Sequence, residues 1–160
     1  MLLQKAALRR MDMRFLILPP VVLVVTAIVM VLLNQYVPLA QLWESPYRWS
    51  GIVVLLIGLG IAQWHARLFH RLETNIDTFG EPGSLTRQGL FAVTRNPMYL
   101  GFIIALTGLA VCLGSLAPFL ATLCFALLVN FWYIPVEERN MQRKFGQVYL
   151  DYKAEVRRWL

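Results

Sequence analysis

The chain has 160 residues, of which 58% are hydrophobic, with a mean hydropathy of +0.58 and a formal net charge of +6. Soluble domains are about 45–50% apolar, so one domain of this length has more apolar surface than it can bury in water, and a lipid bilayer is the expected solvent. The basic excess follows the membrane flanks and forms no basic face on a soluble module, which excludes a nucleic-acid partner.

Four segments approach the roughly 20 helical residues that cross a hydrocarbon core about 30 Å thick. The first, about Phe15–Leu33, has no charge. Its apolar run exceeds the roughly 7–15 residues of a signal-peptide core and no A-x-A site follows, so a retained span is expected. Asn34–Arg48 reads as an outer loop. The second span, about Trp49–Phe69, carries Gly51, Gly58 and Gly60, which permit close helix contact. His65 and His70 do not share a helical face as an i, i+4 pair would, so no metal is expected.

A loop from His70 to Arg95 is turn-rich, with Gly80, Pro82, Gly83 and Gly89. The third span, about Pro97–Leu113, reaches only about 26 Å at ~1.5 Å per residue. Gly114, Ser115 and Pro118 join it to the fourth, about Leu116–Ile134, as a tight hairpin. Cys112 and Cys124 fall inside these spans and read as small hydrophobes. In the tail, Pro135 suits the first turn of a helix, with Glu137 and Glu138 near its positive end. Phe145, Val148, Tyr149, Tyr152 and Val156 recur every three or four residues, a stripe suited to the membrane surface or to capping the bundle.

If the amino terminus is cytoplasmic, every Lys and Arg except Arg48 falls on an inner piece, as the positive-inside rule requires. The expected fold is all-α: one domain spanning residues 1–160, an integral membrane bundle of four transmembrane helices. It would have a cytoplasmic loop (70–95) and an amphipathic C-terminal tail (135–160), with both termini cytoplasmic, as in a bacterial inner membrane.

Two short stretches carry possible chemistry. In Arg95-Asn96-Pro97-Met98-Tyr99, Asn96 suits an N-cap, Pro97 the first helical position, Arg95 the inner flank and Tyr99 the membrane interface. The pair Glu137-Glu138 supplies one more carboxylate than a helix dipole needs, at the inner end of a span where carboxylates tend to be functional. Structural and catalytic readings are both open for each stretch.

The order of the pieces carries more than any one of them. Leu85-Thr86-x-x-Gly89-Leu90-Phe91 is followed by Arg95-Asn96-Pro97-Met98-Tyr99-Leu100-Gly101, an apolar hairpin, Glu137-Glu138, and Phe145-Gly146-x-x-Tyr149-x-x-Tyr152. Over about residues 83–158 this resembles the integral-membrane methyltransferases of the isoprenylcysteine carboxyl methyltransferase family, with their phospholipid methyltransferase relatives. The resemblance implies S-adenosyl-L-methionine as cofactor, contacted by Ser84, Leu85, Thr86, Phe91, Asn96, Pro97, Met98, Tyr99 and Glu137. Of these, Asn96, Tyr99 and Glu137 would carry the catalytic role, with Tyr133 and Glu138 on the acceptor side. Tyr133 stands where prenylcysteine-specific members carry an arginine, Asn96 where a histidine is frequent, and Phe91 where a tyrosine is usual. The acceptor is therefore left as a lipophilic or small carboxylate, thiol or amine. The weaker readings are an NADPH-dependent membrane reductase and a non-catalytic helical membrane protein.

Overall fold

The structure is a computed structural model that describes residues 18–71 and 85–160. Among the described residues it is all-helical, with no strand and six α-helices: α1 (Pro19–Tyr36), α2 (Ser50–Arg71), α3 (Pro97–Leu113), α4 (Leu116–Leu128), α5 (Ile134–Phe145) and α6 (Gln147–Glu155). The expected start of the first span, residues 15–17, and most of the loop between α2 and α3 lie outside the described residues. Helix α1 begins at Pro19, where a residue without an N–H loses nothing, and runs on to Tyr36, past the expected Leu33.

Three helical stretches are long and apolar enough to cross a membrane: Pro19–Tyr36, Tyr47–Leu68 and Leu116–Phe145. The fourth apolar helix, α3, has 17 residues and is shorter. It is also the one buried by the others, with Tyr99, Phe102, Ala105, Leu106 and Ala110 all in the core. In contrast, α1 turns Val24, Val25, Ile28 and Leu32 outward. An apolar helix exposed in this way is what a lipid-facing position requires.

Helices α2 and α3 touch through small residues. A Cβ built at Gly58 would meet the backbone of Gly101 and Ala105, and one at Gly51 would meet Gly108 and Cys112. The expectation of close contact holds for Gly51 and Gly58 and not for Gly60, whose Cβ would meet nothing within 4 Å. Around this pair, Met30 of α1 and Phe125 of α4 complete the main core with Phe102, Leu106 and Ala110.

The turn between α3 and α4 is tied down by polar contacts. Gly114 ends α3 at φ 75°, a left-handed conformation that suits glycine. Its carbonyl accepts from the Leu42 N–H at 2.9 Å and from Gln41 Nε2 at 2.9 Å. Trp43 Nε1 donates to the Val111 carbonyl at 2.9 Å, and the Ser115 hydroxyl donates to Asn34 Oδ1 at 2.6 Å.

At the other end, α5 has Pro135 in its first turn as expected, but the expected positive helix end is absent. Helix α4 continues through a π-helical turn, Val129–Tyr133, directly into α5. Pro135 has no N–H for the carbonyl four residues back, and the helix widens just before it. Glu137 and Glu138 therefore sit inside one long helix, without a free positive end beneath them. Gly146, at φ 53° and ψ −125°, then breaks the chain and starts α6. The tail folds back as a cap: Tyr149, Tyr152 and Val156 are buried with Leu85, Met141 and Phe145, while Val148 leaves the expected stripe and is exposed.

Candidate functional site

The cap and the start of α3 enclose a cleft at the end of the bundle where the motif residues gather. It is lined by Leu85, Thr86, Phe91, Arg95, Asn96, Glu137, Glu138, Met141, Tyr149 and Tyr152. Three separate stretches of chain thus converge: the segment before α3, the α4–α5 helix, and α6.

The segment before α3 is held from both sides. His65 of α2 is fully buried, with Nδ1 2.9 Å from the Ile61 carbonyl and Nε2 accepting from the Leu90 N–H at 3.3 Å. That pattern places the ring proton on Nδ1. Its ring packs edge-on against Phe91, whose carbonyl accepts from the Tyr152 hydroxyl at 2.8 Å. His65 is a structural latch here. The side chain of His70 lies outside the described residues.

The two neighbouring glutamates have separate jobs. Glu137 accepts from the Tyr99 hydroxyl at 2.6 Å, bridging α5 to α3. Glu138 is buried and meets three cations: Arg95 Nη2 at 2.9 Å, Lys153 Nζ at 3.0 Å and Arg158 Nη2 at 3.1 Å. Glu138 therefore ties α5, the start of α3 and the C-terminal segment together.

Arg95 is the most buried of these cations. Its side chain is 9% exposed, and Nη1 donates to the carbonyls of Lys153 and Val156 at 2.7 and 2.8 Å. Among the described residues, its Nε is the one buried side-chain nitrogen or oxygen without a hydrogen-bond partner. The Arg95 N–H also donates to the Arg157 carbonyl at 2.9 Å.

Asn96 departs from expectation. It occupies the N-cap position of α3 but makes no side-chain cap bond. Its Nδ2 donates instead to the Arg158 carbonyl at 2.9 Å, beside the Thr94 hydroxyl, which donates to the same carbonyl at 3.1 Å. The side chain is spent on the C-terminal segment.

The aromatic wall is electrostatically distinctive. Burial, reinforced by the nearby Glu138 charge, pushes the Tyr149 hydroxyl well above the ordinary phenol range. Burial likewise pushes Tyr152 up to about 12, against the opposing pull of Arg95 and Arg87.

Of the residues expected from sequence, Leu85, Thr86, Phe91, Asn96, Glu137 and Glu138 line the cleft. Pro97, Met98, Tyr99 and Tyr133 do not line it; Tyr99 reaches it through its bond to Glu137. Tyr133 is buried, its ring 6.2 Å from that of Tyr99. Ser84 lies outside the described residues. The sequence reading missed Arg95, Met141, Tyr149 and Tyr152 as lining residues. In the sequence, Arg95 has a sufficient local explanation as a membrane flank, and the tyrosines have one as an apolar stripe.

Comparison with known proteins decides the family. A family model described as phospholipid methyltransferase matches residues 46–148. The chain belongs to the phospholipid methyltransferase family. This family groups with the membrane methyltransferases that the motif order resembles, and residues 46–148 include every cleft residue except Tyr149 and Tyr152. The chain is also similar to an uncharacterized protein of Haemophilus influenzae, at 38% identity over 63 residues, which is 39% of this chain and all of that protein. No solved structure matches it significantly.

Proposed function

We propose that this phospholipid methyltransferase family member transfers a methyl group from S-adenosyl-L-methionine to a lipophilic or small acceptor at the cytoplasmic membrane face. The acceptor would present a carboxylate, thiol or amine. The observation that carries the reading is the convergence of the family's motif residues on one cleft, with Glu137 and Phe91 on facing segments. In the same reading α3 makes the fourth crossing, both termini are cytoplasmic, and the cleft opens where soluble cofactor is available.

The donor set fits such a cofactor. The cleft combines a carboxylate (Glu137), a buried cation with an orphaned N–H (Arg95) and apolar or aromatic walls from Leu85, Phe91, Met141 and Tyr149. Those are the partners of a zwitterionic amino-acid end and a nucleoside. When bound, the cofactor supplies a methyl group on a cationic sulfur.

The chain's own residues then bind, orient and exclude water. Glu137 accepts hydrogen bonds from hydroxyl or ammonium groups, and the Tyr99 hydroxyl fixes the carboxylate's orientation. Phe91 offers a ring face to a base or to a cation. The cap formed by α6 closes one side of the cleft, and shielding an acceptor lone pair from water lowers the barrier to in-line displacement. Tyr133 and Glu138 remain the proposed acceptor-side residues.

The test is methyl incorporation. Membranes containing the protein are supplied with methyl-labelled cofactor and separate pools of lipophilic carboxylates, thiols and amines. Label should enter one pool, and a Glu137→Gln variant should abolish most of it. Incorporation equal to that of membranes lacking the protein, across all pools, would contradict the proposal.

A further inference from the structure

We propose that Arg95 is the residue that recognises the carboxylate of the bound cofactor, through its Nε–H; this rests on the methyltransferase reading above and deepens it. Arg95 is held as a fixed plane. Two of its nitrogens are committed, Nη1 to the Lys153 and Val156 carbonyls and Nη2 to Glu138. The remaining nitrogen, Nε, carries an N–H that is buried and unpartnered in a residue that lines the cleft. A buried donor on a charged group left unpaired is costly, and nearly all such groups in proteins have a partner. An acceptor brought by a ligand removes that cost at binding.

The sign of the local charge agrees. Among the described residues, Glu138 is the one carboxylate paired with Arg95, Lys153 and Arg158, so these four groups carry a net positive charge beside the cleft. Lys153 and Arg158 are 38% and 33% exposed and are screened by solvent, whereas Arg95 is not. Asn96, the other candidate from sequence, has its amide donating to the Arg158 carbonyl. Glu137 lies in the same cleft and suits the cofactor's ammonium or hydroxyls. A zwitterion would then meet Arg95 at its negative end and Glu137 at its positive one. Because three of the guanidinium's bonds are already formed in the free protein, no arginine rotamers need to be ordered when the carboxylate arrives.

The test compares S-adenosylhomocysteine with its decarboxylated analogue, which keeps the amine. Wild-type protein should bind the first roughly 10- to 100-fold more tightly, the range of one charge-assisted hydrogen bond. Arg95→Lys should lower affinity for S-adenosylhomocysteine to that of the analogue, while analogue affinity stays within about twofold. Equal wild-type affinity for the two ligands, or equal loss of both in Arg95→Lys, overturns the role of Arg95 and leaves the methyltransferase reading standing. Binding of neither ligand to folded wild-type protein overturns both. A second measurement does not depend on the variant folding: NMR of isotope-labelled arginine in the wild-type protein. One solvent-protected Nε–H resonance should move with S-adenosylhomocysteine and not with the analogue. If no Nε–H responds, the inference is wrong.

Discussion

The Tyr99 hydroxyl donates to Glu137 Oε1 at 2.6 Å, and the residue next to Glu137 makes no such contact but gathers Arg95, Lys153 and Arg158. One glutamate therefore joins the first turn of α3 to the cleft, and its neighbour joins the cleft to the C-terminal segment. Substitutions at the two should separate binding from stability.

Glu137→Gln should weaken S-adenosylhomocysteine binding roughly 10- to 100-fold, since charged acceptors contribute about 1.5–3 kcal/mol. The thermal midpoint in detergent should change little, because Gln still accepts from Tyr99. Tyr99→Phe should weaken binding less, by removing the orienting bond alone. Calorimetry on all three proteins measures this, and a larger loss in Tyr99→Phe than in Glu137→Gln would contradict the assignment.

Glu138→Gln should act on stability. It leaves Arg95, Lys153 and Arg158 together without a carboxylate. Breaking a buried pair costs about 3–5 kcal/mol, and partial exposure of Lys153 and Arg158 places this case at the lower end. The midpoint should fall and protease should cut the residue 146–160 region sooner. Unchanged protection would show that the ion cluster does not hold the cap.

Gly58→Ala should destabilise the α2–α3 contact. The added Cβ would stand 2.6 Å from the Gly101 carbonyl oxygen and still closer to the Ala105 backbone nitrogen, so the helices must separate. A cost at least as large as the roughly 1–3 kcal/mol of core overpacking is expected. Gly60→Ala, with nothing within 4 Å, should be neutral or slightly stabilising. Paired thermal melts in one detergent check the contrast.

Alkaline titration should find two late tyrosines. Tyr149 is pushed above the ordinary range, and Tyr152 to about 12. Because these folded values exceed the unfolded value of about 10, the stability they contribute is complete below that pH. It is lost as pH rises towards and through the folded values. Tyrosinate absorbance should show both ionising above the ordinary phenol range, together with release of the cap. Tyr152→Phe should remove one late step, and its absence from the wild-type curve would argue against the buried wall.

Much of this architecture was legible in the sequence because apolar runs and helix punctuation are local. Residues 97–113 were delimited by Pro97 and Gly114, and the structure ends α3 at the same points. Asn96 was legible as an N-cap position but not in its bonding, because the Arg158 carbonyl that takes its amide is supplied from 62 positions away. Likewise Arg95 carried a sufficient local explanation as a flanking charge, and only the returning chain reveals its three hydrogen bonds. Pro135 does stand in the first turn of α5, but the π turn that joins this helix to α4 without a break was not legible from the local residues. Residues 145–156 show the stripe, but the face buried beyond Gly146 is that of Tyr149, Tyr152 and Val156, which leaves Val148 exposed.

The most direct test of the central claim is calorimetric titration of the purified, folded protein with S-adenosylhomocysteine, with NADPH as the control nucleotide. The expected result is saturable binding of S-adenosylhomocysteine that Glu137→Gln weakens, and no binding of NADPH. Saturable binding of NADPH with none of S-adenosylhomocysteine, in protein whose thermal transition shows it to be folded, would contradict it.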